Sequence, residues 1–152
     1  TQAPETFHHW ATFAGGSDGV RIDIDGDALL GSLAGDADYR WGDVTYLTLR
    51  QIAARGTLPV ADLPFLKRHA FRDEREFRLI RHAGDVAART HDVPVQRSWI
   101  RGITLGPWLP ANLADSAKAA LRALPGCGNL HVQRTHLRDN ARWRGALARL
   151  SV

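Results

Sequence analysis

A single α+β domain is the fold class this sequence predicts, with one mixed, mostly antiparallel sheet of about six strands and three to five helices. Two observations lead there. The segments VRIDID (20–25) and EREFRLI (74–80) alternate apolar and polar residues with the period of a half-buried strand, whereas ANLADSAKAALRAL (111–124) carries helical spacing. The strand candidates also follow one another too closely for a regular βαβ array. A chain of 152 residues can bury one substantial core.

The elements follow in order. Glu5 to Ala14 reads as a short amphipathic helix, because Phe7, Trp10, Ala11 and Ala14 fall on one face before Gly15-Gly16 stops it. A turn at SDG leads into the first strand, with Val20, Ile22 and Ile24 on one face. Asp25-Gly26 turns the chain into a helix through Leu29, Leu30 and Leu33. Asp43 to Tyr46 predicts a strand and Leu47 to Ala54 a helix ending at Gly56. Pro59 and Pro64 then bracket a loop, and Asp62 to His69 predicts a short helix. The strand EREFRLI follows, then a loop around Gly84 and Asp85. Val93 to Arg97, Ile100 to Leu105 and Leu130 to His136 are three further strand candidates. Between the last two, Pro110 opens the helix Ala111 to Leu124 and Pro125-Gly126 closes it. In the tail NARWRGALARL, Trp143, Leu147 and Leu150 stand at helical spacing.

Composition bounds the chemistry. The formal charge of +4 and pI near 10 come from eighteen Arg and two Lys. That balance attracts phosphates, and it is also what a GC-rich genome writes. Cys127 is the sole cysteine, so the chain holds no internal disulfide and no Cys-based structural zinc site. No apolar run approaches the ~20 residues of a membrane-spanning helix, and TQAPETFHHW lacks the marks of a signal peptide. A cytoplasmic protein with no membrane partner is expected. The chain has no Met and starts at Thr1, so an upstream N-terminal portion is expected to be missing.

Phosphate-loop, dinucleotide-fold and nucleophile-elbow motifs are absent. His8 and His9 are adjacent on a helix and so diverge, and no metal site is expected there or elsewhere. Cys127, in PGCGNL, reads as a small loop residue; Asp23 and Asp25 read as solvent-facing strand residues before a turn. Arg is dense over 68–81 and again over 134–149, where Trp143 is interleaved. That pattern suits a nucleic-acid backbone or a solvated helix face. The chain's three Glu against thirteen Asp make the pair Glu74 and Glu76 conspicuous. On one strand face their carboxylates would stand roughly 6–7 Å apart. They would serve acid–base chemistry or stabilise a sugar cation, or else form a row of charges paired with Arg78 and neighbouring strands.

Several segments carry a family resemblance: WATFAGGSDGVRIDID (10–25), DVTY (43–46), LKRHAFRDEREFRLI (66–80), WIRGITLGPWLPANL (99–113) and VQRTHL (132–137). Through them the chain resembles the bacterial domain-of-unknown-function family numbered 2971, some relatives of which are labelled phage abortive-infection proteins. The Glu-x-Glu segment is also similar to the acidic strand of ADP-ribosyltransferases. That likeness implies an ADP-ribosyltransferase-like fold and NAD as substrate, with a role in phage defence or as a toxin. Glu76 would be the catalytic carboxylate and Glu74 its companion toward the acceptor, a protein or nucleic acid. Trp10 or Phe13 would pack on the nicotinamide ring, and Arg78, Lys67 or Arg68 would meet the pyrophosphate. The upstream Arg or His that grips NAD in the transferases has no motif here, with Arg21, Arg40 and His9 as substitutes. The rival expectation is a non-enzymatic basic module that binds nucleic acid, nucleotide or a protein partner.

Overall fold

The computed structural model describes residues 1–82 and 90–150. In chain order these form α1 (Phe7–Phe13), β1 (Val20–Ile24), α2 (Gly26–Leu33), β2 (Tyr39–Asp43), β3 (Thr45–Leu47) and α3 (Leu49–Ala53). Next come β4 (Leu66–Arg68), β5 (Phe77–Arg81), β6 (Ile100–Leu105), α4 (Ala111–Ala123), β7 (Val132–Arg134) and α5 (Ala141–Leu150). Short 3-10 helices occupy Val60–Phe65, His69–Glu74 and Arg97–Trp99. The architecture is α+β, and contacts divide it into two compact units. The first comprises Thr1–Glu5 and Gly31–Val93, the second Thr6–Leu30 and Pro94–Val152.

The second unit is built on a three-stranded sheet in the order β1-β6-β7. β1 runs antiparallel to β6 with Val20 opposite Leu105 and Ile22 opposite Ile103. β7 runs parallel to β6, with Ile103 opposite Val132. Two adjacent parallel strands require a crossover, and α4 supplies it. Its core is Leu105, Ala114, Cys127, Leu130 and Val132, flanked by Ile103 and Leu121. Trp10 is buried beside Gly106, where a Cβ would stand 2.9 Å from the Gly19 carbonyl oxygen and 3.4 Å from the indole. The backbone approaches that closely because Gly106 N–H donates to Gly19 O at 2.9 Å.

In the first unit, β2 and β5 form an antiparallel pair with Trp41 opposite Leu79, and β3 and β4 a parallel pair with Tyr46 opposite Lys67. Thr48 opens α3 through a capping box with Gln51, which takes Leu47 out of the helix and leaves it buried at the end of β3. Gly42 on β2 faces the Phe65 ring, 3.9 Å from where a Cβ would lie. A strand glycine here lets a neighbouring segment settle on the sheet.

Several expectations are corrected. Among the described residues there are seven strands in three separate sheets, with two antiparallel and two parallel pairings, in place of one mostly antiparallel sheet of about six. The Glu-x-Glu segment is not strand. Glu74 ends a 3-10 helix, Arg75 takes a left-handed conformation at φ 43°, and β5 begins only at Phe77. The helix expected over Asp62 to His69 is a 3-10 helix followed by β4, since Pro64 has no N–H to continue an α-helix. Val93 to Arg97 makes no ladder; Pro94 cannot donate to one. Leu130 to His136 contracts to β7. The expected loop at Gly84 and Asp85 lies outside the described residues.

β1 keeps its alternation but reverses its sense. Val20, Ile22 and Ile24 are exposed, and Arg21 and Asp23 are half-buried. Residues directly opposite share a sheet face, so Val20 and Ile22 lie on the face of Leu105 and Ile103. α4 packs on β7 at the other edge, and the apolar side chains of β1 stay exposed. Asp25 is no free solvent-facing group: it accepts from the Ala28 N–H at 3.1 Å, capping α2, and from Arg101 at 2.8 Å.

Candidate functional site in the first unit

β4 alternates its side chains, so Lys67 and Arg68 leave on opposite faces. Lys67 reaches the kink after the 3-10 helix, where its ammonium binds Glu74 Oε2, stands 3.2 Å from Glu76 Oε2, and lies 5.1 Å from the Phe71 ring centre. Arg68 is exposed beside a separate shallow depression lined by Thr48 and His69. The kink at Arg75 re-aims both Glu, so their convergence comes from the left-handed turn and not from strand geometry. Thr1 Oγ1 donates to the Glu74 carbonyl, and Gln2 N–H donates to the Arg75 carbonyl at 2.9 Å, holding the kink from the N-terminal side.

Glu76 is gripped twice by Arg78, Nε to Oε1 at 2.5 Å and Nη2 to Oε2 at 3.1 Å. Its N–H donates to the Tyr46 hydroxyl at 2.8 Å. The Arg78 guanidinium holds the Glu76 carboxyl below its ordinary range; burial opposes this, and Lys67 adds to it. Lys67 is raised, chiefly by its bond to Glu74, and Arg78 is raised by Glu76. Two carboxylates and two cations thus close a partly buried network across β4, the kink and β5.

This arrangement decides what each Glu can do. Only 5% of the Glu74 side chain is exposed, and its carboxylate is bonded to Lys67. The Glu76 carboxyl is held in its charged form more firmly than a free one, because Arg78 and Lys67 both stabilise that charge. A lowered carboxyl contributes stability at pH values above its ordinary 4.5 and loses it as the pH falls through the folded value. Raised Lys67 contributes below its ordinary 10.5 and loses this as the pH climbs through its folded value. Glu76→Gln is therefore expected to flatten the acid limb of the stability profile below about pH 4.5 and to change the alkaline limb, which Glu74 chiefly sets through Lys67, much less, as read from urea midpoints across pH.

Trp10 and Phe13, the expected nicotinamide-ring contacts, belong to the second unit. Trp10 is buried in that unit, beside Gly106, and offers no open ring face; Phe13 is 63% exposed, with His9 as its ring neighbour. Of the substitute NAD-gripping residues, Arg21 pairs with Asp23 on its own strand, and Arg40 lines a cleft with no counterpart among the sequence motifs.

That cleft, of about 470 Å³, lies between β2–β5 and the 3-10 helix Val60–Phe65. Val60, Pro64, Phe65 and Ile80 are its apolar lining, and Arg40, Arg81, His82 and Asp38 its polar and charged lining. The Arg40 guanidinium lies 5.4 Å from the Phe65 ring centre and donates to Ala61 O at 2.7 Å and Asp62 at 3.1 Å. Arg81 is held loosely, by one 3.3 Å bond to Asp38, while its buried Nε has no partner among the described residues. The cleft adjoins the ion network, since Arg78 Nη1 donates to the carbonyl of the lining residue Pro64. Gly42 and the Pro-bracketed loop were the legible signals for it.

Arg134, counted in the Arg-dense tail, is an internal clip that donates to Leu109 O at 2.7 Å and Pro107 O at 3.0 Å. Among the described residues no three His, Cys, Asp or Glu are placed to hold a metal, and no helix is long and apolar enough to cross a membrane. No family model, curated protein or solved structure matches this chain. The resemblance to the 2971 family rests on the quoted motifs alone.

Proposed function

We propose that the chain is a binding module for a small phosphate-bearing aromatic ligand, a nucleotide by chemical class, held in the cleft of the first unit. The carrying observation is the cleft's composition. Its volume, about 470 Å³, suits a ligand of nucleotide size, and its lining joins apolar side chains (Val60, Pro64, Phe65 and Ile80) to the basic Arg40, Arg81 and His82. Phe65, already under a guanidinium, offers a stacking surface, and Arg81 exchanges its weak Asp38 contact for a phosphate. In equilibrium dialysis, AMP and ADP are expected to bind at least tenfold more tightly than adenosine. Arg81→Ala should erase that difference, and Phe65→Ala should weaken all three. Failure of AMP and ADP to bind at millimolar concentration rules the reading out.

A second reading is NAD cleavage or ADP-ribosyl transfer on an ADP-ribosyltransferase-like scaffold, in phage defence or as a toxin. It is favoured by one observation: Arg78, which grips Glu76 and favours its charged form, also donates to the carbonyl of the cleft-lining Pro64, and a carboxylate near the cleft is what stabilisation of an oxocarbenium ion requires. Nicotinamide release from NAD should then fall at least a hundredfold in Glu76→Gln. Equal rates in both proteins leave the binding module alone standing.

A further inference from the structure

The tail helix α5 is amphipathic, and its large apolar side chains are exposed. Asn140 opens it, with Oδ1 accepting from Trp143 N–H at 2.9 Å. At about 100° per residue, Trp143, Leu147 and Leu150 fall within an arc of about 60°. These three are 65%, 45% and 80% exposed. Arg142 and Arg144 project about 100° to either side of Trp143, and Arg149 about 120° away on the Arg142 side. All three Arg are exposed, and residues 140–150 contain no acidic side chain. Ala141, Gly145 and Ala148 complete the far side.

We propose that α5 is a surface anchor for an anionic lipid bilayer. An apolar wedge bordered on both sides by cations at one level matches a planar boundary, with acyl chains below and phosphates alongside. The Arg stems lie along that boundary while their guanidinium groups bond headgroup phosphates. Charge complementarity selects anionic lipid, because no carboxylate on α5 offsets the three guanidiniums. The two-sided placement disfavours a nucleic-acid strand, whose phosphates would be met from one side, with the apolar arc left in water. Adsorption of this kind needs no membrane-crossing helix.

The test is co-sedimentation of the full chain with phosphatidylcholine vesicles, with and without phosphatidylserine. Binding is expected to be on the order of tenfold stronger to the anionic vesicles, to weaken with salt, and to shift tryptophan emission to the blue. Arg142→Glu with Arg144→Glu should abolish it. Trp143→Ala with Leu150→Ala, which leaves the charge unchanged, should weaken it about tenfold. All four side chains are exposed, so circular dichroism should show an unaltered fold. Equal or absent binding to the two vesicle types overturns the proposal, as does undiminished binding by the Trp143/Leu150 variant. Binding to a single-stranded oligonucleotide without binding to vesicles also overturns it, in favour of nucleic acid.

Discussion

Lys67→Met is expected to lower stability by about 3 kcal/mol. Glu74 has only 5% of its side chain exposed, and Lys67 is its cation. Removing the ammonium leaves a buried carboxylate without its partner, which is far costlier than losing an exposed pair. Arg78 does not compensate, because both its Nε and Nη2 are committed to Glu76 and its Nη1 to Pro64. Replacing both members, Lys67→Met with Glu74→Leu, should recover most of the loss, since the desolvated charge goes with its partner. The comparison is made by urea denaturation of the two variants beside wild type. A Lys67→Met protein within 0.5 kcal/mol of wild type would show that Glu74 reaches water without help, and the network account would fail.

Leu105→Ala should cost about 3 kcal/mol, whereas Ile22→Thr should change stability by less than about 0.5. The contrast is informative because apolar alternation alone ranks Ile22 as core. Leu105 is 3% exposed among Ala114, Leu130 and Val132, so its truncation opens a cavity in a region packed on both sides by strand and helix. Ile22 is 48% exposed on the edge strand of the same sheet. Thermal or urea unfolding of both variants decides the matter. Comparable losses would mean that β1 is buried after all.

These two cases mark how far the residues alone lead. The spans of α1, β1, β6, α4 and α5 were legible because each is set by neighbours three or four positions away, or by strict alternation, with Pro, Gly or Asn at the ends. The convergence of Lys67, Glu74, Glu76 and Arg78 was half-legible. Their proximity in sequence was plain, and pairing of the two Glu with Arg78 was among the expected alternatives, whereas Lys67 was expected at a pyrophosphate. The left-handed Arg75 that turns the carboxylates onto Lys67 had no signal, since an Arg with φ 43° is held there by its surroundings. The burial of Glu74 is likewise something no local pattern reports.

What the sequence determined by itself is the set of local elements, the scarcity of Glu, the basic charge and the amphipathic arc of α5, because each depends on residue type and short-range spacing. Tertiary structure decided which strands pair, which faces are covered and where the cleft forms. β1 carries a core pattern and its apolar side chains lie exposed, while α4 packs on β7, far along the chain. Arg40 and Phe65 meet over Gly42 although 25 residues separate the first two in the chain. Contacts between distant segments are won by packing and desolvation of whole surfaces, and a local period carries no record of the partner that will cover it.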